Sequence, residues 1–97
     1  MTVSFQLDQD VLNVRGPLER FHLGAKHLYR FPRHQGKLHI DLKGVTNLDT
    51  AGLAWLLKVI AYYQKKQCDV SVIQVPNQLI ALAEISNVLE LLPIEQK

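Results

Sequence analysis

The sequence predicts an α/β fold in which helices cover a mixed β-sheet, in the order β-β-α-β-α-β-α. Three observations favour this class. Short apolar segments with a period of two alternate with longer segments of helical period. Two predicted strands flank a helix that is long enough for a right-handed parallel crossover. The 97 residues suit one domain, which we expect to span residues 1–97.

The chain is predicted to begin with a β-hairpin. Val3, Phe5 and Leu7 alternate with polar residues, which is the pattern of a half-buried strand. A polar pair at positions 8 and 9 favours a tight turn, and the apolar residues at positions 11–14 favour a second strand. The hairpin adds an antiparallel pair to the sheet, which is why we expect the sheet to be mixed.

A first helix is predicted between residues 17 and 31. Pro17 is tolerated at the first position of a helix, where its missing N–H has no intrahelical partner to lose. Pro32 ends the pattern, because the residue before a proline is disfavoured in helical conformation. Between the two prolines, apolar residues recur at helical spacing: Leu18, Phe21, Ala25, Leu28 and Phe31.

The second half of the chain repeats the alternation of strand and helix. The pattern predicts a strand at residues 38–42, a long helix at 50–66 and a strand at 70–75. A third helix is expected at 78–85, with Asn77 as its N-cap. The tail at 88–92 is predicted to form either a helical turn or a short edge strand, and Pro93 ends it.

Composition excludes several classes of protein. An apolar fraction of 47% is typical of a packed globular chain. No apolar run is long enough for a transmembrane helix, and residues 1–10 do not resemble a signal peptide, so we expect no membrane insertion. Cys68 is the only cysteine, which predicts a reducing, cytoplasmic environment. The net charge is +2, and the densest basic stretch, at residues 26–37, surrounds the end of the predicted first helix, where the helix dipole alone favours cations. We therefore predict no nucleic-acid binding.

The helix at 50–66 carries apolar residues on two sides. At about 100° per residue, one side is suited to packing on the sheet. It comprises Leu53, Leu56, Leu57 and Ile60. A second stripe, rich in the aromatic residues that dominate interface hot spots, comprises Ala51, Trp55, Val59 and Tyr62. We interpret this stripe as an exposed partner-binding face; the alternative is that another segment of the monomer covers it.

The start of this helix is a second candidate for partner binding. Asp49 is suited to cap the helix by accepting hydrogen bonds from N–H groups of its first turn. Thr50 then presents a hydroxyl, and Ala51 and Gly52 are small enough for another backbone to approach closely. The alternative is an ordinary helix cap followed by small residues that pack tightly within the chain.

The residues of a catalytic or metal site are not found together in the sequence. No histidine lies near Asp49 and Thr50 to activate the threonine as a nucleophile. His22 and His27 are five positions apart, so they do not share a helix face as paired metal ligands do. The sequence contains no glycine-rich phosphate-binding motif. We therefore predict a protein that is not an enzyme and has neither a cofactor nor a metal.

The strand at 38–42, the connector after it and the segment from Leu48 to Leu53 resemble the signature of the STAS domain family. The resemblance extends over nearly the whole chain and implies a single STAS-like domain. Within the family, Asp49 to Ala54 and the Lys65-Lys66-Gln67 helix end are most similar to small cytoplasmic subunits of one class of ABC transporter. Those transporters traffic phospholipid and maintain the lipid asymmetry of the Gram-negative outer membrane.

This resemblance implies a partner and a location. The subunit would bind the transporter's ATPase, in a complex that also holds a permease and a periplasmic lipid-binding subunit. It would therefore be peripheral to the inner membrane. The family's key threonine corresponds to Thr50, so the resemblance implies that Thr50 and the exposed side of its helix meet the ATPase.

One departure from the family pattern separates two functions. Anti-sigma-factor antagonists, another branch of the family, are phosphorylated on a serine immediately before the glycine. Ala51 occupies that position here and has no hydroxyl to modify. An antagonist that binds a switch kinase is therefore the alternative to a transporter subunit. A third hypothesis is a receptor that holds a small anion at the helix start.

Overall fold

Four strands form one mixed sheet in the order β1-β2-β3-β4 in the computed structural model, which describes residues 2–95. The hairpin strands β1 (Ser4–Asp8) and β2 (Val11–Leu18) are antiparallel. β2 then pairs in parallel with β3 (Lys37–Leu48), and β3 pairs in parallel with β4 (Asp69–Ile73). The predicted class, a mixed sheet covered by helices, is confirmed.

Two helices follow the carboxyl ends of the parallel strands. α1 (Thr50–Lys65) connects β3 to β4, and α2 (Asn77–Ile85) follows β4. Both helices therefore begin at the same edge of the sheet. The side-chain amide of Gln78, in the first turn of α2, donates a hydrogen bond of 2.9 Å to the carbonyl of Leu48 at the end of β3. This bond holds the start of α2 against the strand end from which α1 departs.

The hydrophobic core lies between one face of the sheet and the helices. Alternate residues of each strand point to this face and are buried, as the period of two predicts. They are Leu12, Val14, Leu38, Ile40, Leu42, Val70 and Val72. The opposite face is more polar, and there the His39 imidazole Nδ1 and the Ser71 hydroxyl are 2.7 Å apart. The core is thus single, and each helix packs toward it.

The predicted first helix is absent, and that prediction was wrong. β2 continues through Leu18, and two short 3₁₀ turns follow, at Arg20–His22 and Lys26–Tyr29. The buried side chains in this segment are Leu18, Leu23 and Leu28, spaced five residues apart. On an α-helix, that spacing would place neighbours about 140° apart, so one face could not bury all three. Gly24 would also cost such a helix about 1 kcal/mol.

Smaller differences concern the ends of elements. β3 runs six residues beyond the predicted end at Leu42, because β2 supplies partners as far as Leu48. The predicted cap at Asn77 was wrong, because that residue is already helical and Pro76 precedes it without a side-chain hydrogen bond. The tail forms a 3₁₀ turn at Leu89–Leu91, which is the helical alternative of the prediction.

The segment after this turn lies alongside β4. The N–H of Val72 donates to the carbonyl of Pro93 at 2.8 Å, and the N–H of Glu95 donates to the carbonyl of Val72 at 3.0 Å. The expectation of one domain over residues 1–97 includes positions 1, 96 and 97, which lie outside the described residues. None of the helices within residues 2–95 has the length and apolar content needed to cross a membrane.

Candidate partner-binding site

Asp49 caps α1, as predicted. Its backbone is extended, and its carboxylate Oδ1 accepts a hydrogen bond of 3.0 Å from the N–H of Gly52. Its carbonyl accepts the first helical bond, from the N–H of Leu53, at 3.0 Å. The N–H of Gly52, one of the groups that a helix start leaves without an intrahelical partner, is thereby satisfied within the chain.

The same residue also joins the helix to the segment after β2. Asp49 Oδ2 accepts a hydrogen bond of 3.0 Å from the N–H of Arg20, in the first 3₁₀ turn. The N–H of Asp49 donates to the carbonyl of Leu18 at 3.1 Å. The start of α1 and the 3₁₀ turn at Arg20–His22 are therefore fixed to one another through one carboxylate and one amide.

These hydrogen bonds decide the charge state of Asp49. Partial burial alone would raise the pKa of the carboxyl group, but hydrogen bonds from the backbone of Arg20, Gly52 and Ala51 favour the charged form. The net effect lowers the pKa of Asp49 below its ordinary value of 3.8. The carboxylate therefore stays charged at neutral pH and interacts favourably with the positive end of the α1 dipole.

We expect Asp49→Asn to lower the free energy of unfolding by about 1–2 kcal/mol at pH 7, because the bond to Arg20 loses its charged acceptor. A carboxyl whose pKa is lower in the folded state stabilises the fold above its unfolded pKa, near 3.8. That contribution is lost as the pH falls through the lower folded value. The difference between wild type and variant should therefore shrink in acid. Urea unfolding of both proteins at pH 7 and at pH 3 measures this difference in the free energy of unfolding. An equal difference at the two pH values would contradict a lowered pKa for Asp49.

Gly52 is buried, so its lack of a side chain serves packing within the chain. A Cβ built on Gly52 would overlap the carbonyl oxygen of Leu18 and would lie 2.8 Å from the Leu18 Cβ. The close backbone approach that the sequence predicts at this position therefore exists, but the approaching group belongs to β2. Ala51 is half-buried, and Thr50 is exposed.

The predicted exposure of the aromatic stripe on α1 was wrong. Trp55 and Val59 are both buried, with 1% and 0% of their surfaces accessible, and Tyr62 is half-buried. The physical reason is the missing first helix. Residues 23–36 instead cross the side of α1 as one 3₁₀ turn and irregular chain, and this segment covers the stripe together with Phe5 of β1. This was the alternative that the sequence left open.

The covering is specific rather than a loose hydrophobic contact. The indole N–H of Trp55 donates a hydrogen bond of 2.8 Å to the carbonyl of Leu28. The ring of Phe31 packs against both Trp55 and Tyr62, with centroid distances of 6.2 and 5.3 Å. The hydroxyl of Tyr63 donates to the carbonyl of Pro32 at 2.6 Å, and its burial raises its pKa, which keeps the phenol neutral. Neither Trp55 nor Val59 is available to a partner while this segment is in place.

A different stripe of α1 is exposed. It begins at Thr50 and recurs every three or four residues, so it forms one side of the helix. Its members are small or charged: Thr50, Ala54, Lys58, Ala61 and Lys65. We call these five residues the outer stripe. The Lys58 ammonium lies 5.3 Å from the centre of the Tyr29 ring, so the covering segment borders the stripe.

Sequence reasoning missed the residues that flank the helix start. Phe21 is one of the apolar residues at helical spacing that predict the first helix, but 88% of its surface is exposed. Its neighbour Arg20 is the residue whose N–H binds Asp49, and the Arg20 guanidinium lies 5.5 Å from the centre of the Phe21 ring. The sequence does indicate the outer stripe, because Lys58 and Lys65 are seven residues apart and therefore lie on the same side of the helix. No local signal distinguished Phe21 from the buried apolar residues near it.

The helix start offers little to a small anion. The N–H groups of Gly52 and Leu53 are already bound by Asp49, whose charge would also repel an anion. Among residues 2–95, no group of three or more His, Cys, Asp or Glu side chains is placed to hold a metal ion. The geometry therefore favours a flat contact surface over a ligand pocket at this position.

The mixed sheet, the crossover helix and the capped start of that helix together define a STAS domain. The chain belongs to this family: a family model described as Mlab, STAS domain, matches residues 1–93. Among STAS domains the chain is thus most like MlaB, and the family is one of non-enzymatic domains. A search of curated proteins gives no significant match.

Proposed function

We propose that this protein is a non-enzymatic subunit of a phospholipid-trafficking ABC transporter and that it binds the transporter's ATPase. In this role it supports the assembly or activity of the complex that maintains outer-membrane lipid asymmetry. It acts from the cytoplasmic side and is held at the inner membrane through its partners. The observation that carries the proposal is the exposed, rigidly capped start of α1, in a chain matched by a MlaB-type family model.

The contact surface that we propose consists of the helix start and the outer stripe. Thr50 supplies a small polar group at the first turn of α1, and Ala54 and Ala61 allow a partner to approach the helix closely. Asp49 and Gly52 act indirectly, since their contacts with Leu18 and Arg20 fix the position of Thr50. Trp55 and Val59 are buried in the core and contribute by packing that holds α1 in place.

Ala51 favours this function over a phosphorylation switch. The position before Gly52 has no hydroxyl, so a kinase could not modify it. Docking without covalent modification influences an ATPase only through different affinities for its conformations. We therefore expect the subunit to stabilise one conformation of the ATPase, or its assembled state, in proportion to that difference.

Thr50→Glu is expected to reduce binding to the ATPase by at least tenfold, because a larger charged side chain would stand in the contact. The fold should be retained, because an acidic residue at a helix start interacts favourably with the dipole. The test is co-expression of the tagged chain with the ATPase and permease, followed by titration of the purified chain against the ATPase.

Gln64→Glu is the matched control. It adds the same charge to an exposed position of α1, roughly 20 Å further along the helix. Wild-type affinity for Gln64→Glu with loss of affinity for Thr50→Glu supports the proposal. Equal affinity for all three chains would remove Thr50 from the interface. Failure of the wild type to bind the ATPase, with binding to a sigma-regulating kinase, would overturn the function.

A further inference from the structure

The most exposed large apolar side chain of the described residues stands beside the proposed contact surface. Phe21 is 88% exposed, although the nearby apolar residues Leu23 and Leu28 are buried. Burying a phenylalanine side chain is worth about 1.5–3 kcal/mol, so leaving it in water forgoes a substantial stabilisation. A single exposed aromatic residue has no significance by itself. Its position is what makes Phe21 informative.

Phe21 is held in a fixed relation to Thr50. The N–H of its neighbour Arg20 donates to Asp49 Oδ2, and Asp49 is the residue immediately before Thr50. The 3₁₀ turn is also closed by a backbone hydrogen bond, in which the N–H of His22 donates to the carbonyl of Glu19 at 2.8 Å. Because these hydrogen bonds fix the backbone of the turn, binding through Phe21 requires little further ordering of the chain, which is a property of an interface anchor.

The charge around Phe21 indicates the kind of surface that receives it. The Arg20 guanidinium lies 5.5 Å from the centre of the Phe21 ring, so a cation stands beside the exposed aromatic side chain. The Asp49 carboxylate is charged, but its two oxygens accept hydrogen bonds from the backbone N–H groups of Arg20 and Gly52 and not from the Arg20 guanidinium. A complementary partner has an apolar pocket for the ring and acidic side chains at the rim of that pocket.

We propose that Phe21 is the anchor of the interface with the ATPase subunit, inserted into an apolar pocket with an acidic rim, while Thr50 and the outer stripe make the surrounding contacts. This inference rests on the proposed function. Aromatic residues that fill a pocket near the centre of an interface contribute most of its binding energy. Truncation of Phe21 should therefore affect binding far more than truncation of an exposed residue elsewhere.

The test compares two variants in titrations of the purified chain against the purified ATPase. Phe21→Ala is expected to weaken binding by about 30-fold or more, as a hot-spot residue does. Ile85→Ala is the matched control, because Ile85 is 84% exposed and lies at the far end of α2, roughly 10 Å along that helix from Gln78. The free energy of unfolding of both variants should lie within about 0.5 kcal/mol of the wild-type value, since both side chains are exposed.

Loss of affinity in Phe21→Ala with wild-type affinity in Ile85→Ala supports the inference. Wild-type affinity in Phe21→Ala, while the wild-type chain binds the ATPase, overturns the inference and leaves the proposed function standing. Loss of affinity in Ile85→Ala alone also overturns it and places the interface at the other end of α2. If the wild-type chain does not bind the ATPase, the proposed function itself fails.

Discussion

Trp55→Ala is expected to lower the free energy of unfolding by about 3–5 kcal/mol, because it removes the largest fully buried side chain of the domain. The variant also leaves the carbonyl of Leu28 without the indole N–H that it now binds. A domain of this size has a total stability of about 5–15 kcal/mol. Trp55→Ala should thus be close to unfolded or fully unfolded at 37 °C.

The measurement is urea unfolding followed by circular dichroism. The free energy of unfolding should fall less in Trp55→Phe, since a phenyl ring keeps part of the contact with Phe31 while the indole hydrogen bond and part of the ring volume are lost. Lys58→Ala, an exposed position three residues along the same helix, should remain within about 0.5 kcal/mol of wild type. In the wild type, Trp55 fluorescence should resist quenching by acrylamide. Wild-type stability in Trp55→Ala would mean that the segment at 23–36 does not cover the helix.

Gly52→Ala is expected to destabilise the domain by about 1–3 kcal/mol, as overpacking of a buried contact does. Alanine improves helix propensity by about 1 kcal/mol over glycine, so intrinsic preference alone predicts a gain. The clash with Leu18 outweighs that gain, because the atom in the way is a backbone carbonyl oxygen. That oxygen also accepts the N–H of Asp49 and lies in a strand paired with β3, so it has little freedom to move.

Gly24→Ala is the matched control for this substitution. A Cβ at Gly24 would meet no heavy atom within 4 Å, and its backbone is not in the left-handed region. The same chemical change should therefore be neutral there, or stabilising by about 0.4–1 kcal/mol through reduced freedom of the unfolded chain. Thermal unfolding of the two variants provides the comparison. Equal melting temperatures would show that Leu18 and α1 are not in close contact.

The parts of this fold that sequence could predict are those fixed by local chemistry. The hairpin, the strand before Asp49 and the long helix after it each carry a clear period and a recognisable end. Asp49 was found as a cap because capping needs only a carboxylate and the N–H groups three residues later. Its second bond, to Arg20, joins residues 29 positions apart and has no local signal.

The absent first helix and the wrongly predicted exposure of Trp55 and Val59 had one common cause. Helical spacing at residues 18–31 predicted a helix. In the structure, β2 remains paired with β3 as far as Leu18, so the start of that segment is a strand. The rest of the segment then lay across α1 and buried Trp55 and Val59. An apolar stripe in a sequence predicts that something covers it. Whether the cover is another chain or a distant part of the same chain depends on tertiary structure, which the pattern of one helix does not contain.

The pairing of the tail with β4 has a consequence for self-association. The segment around Pro93 and Ile94 occupies part of the outer side of β4, whereas β1 has no strand on its outer side within residues 2–95. Exposed strand edges are the templates on which chains join into fibres. Within residues 2–95 the tail hydrogen-bonds to β4 at Val72, so it shortens the open edge of β4 and leaves the edge of β1 as the longer site for pairing with another chain. Removal of residues 93–95 would uncover β4 at Val72 and lengthen its open edge, and turbidity on prolonged incubation should then rise.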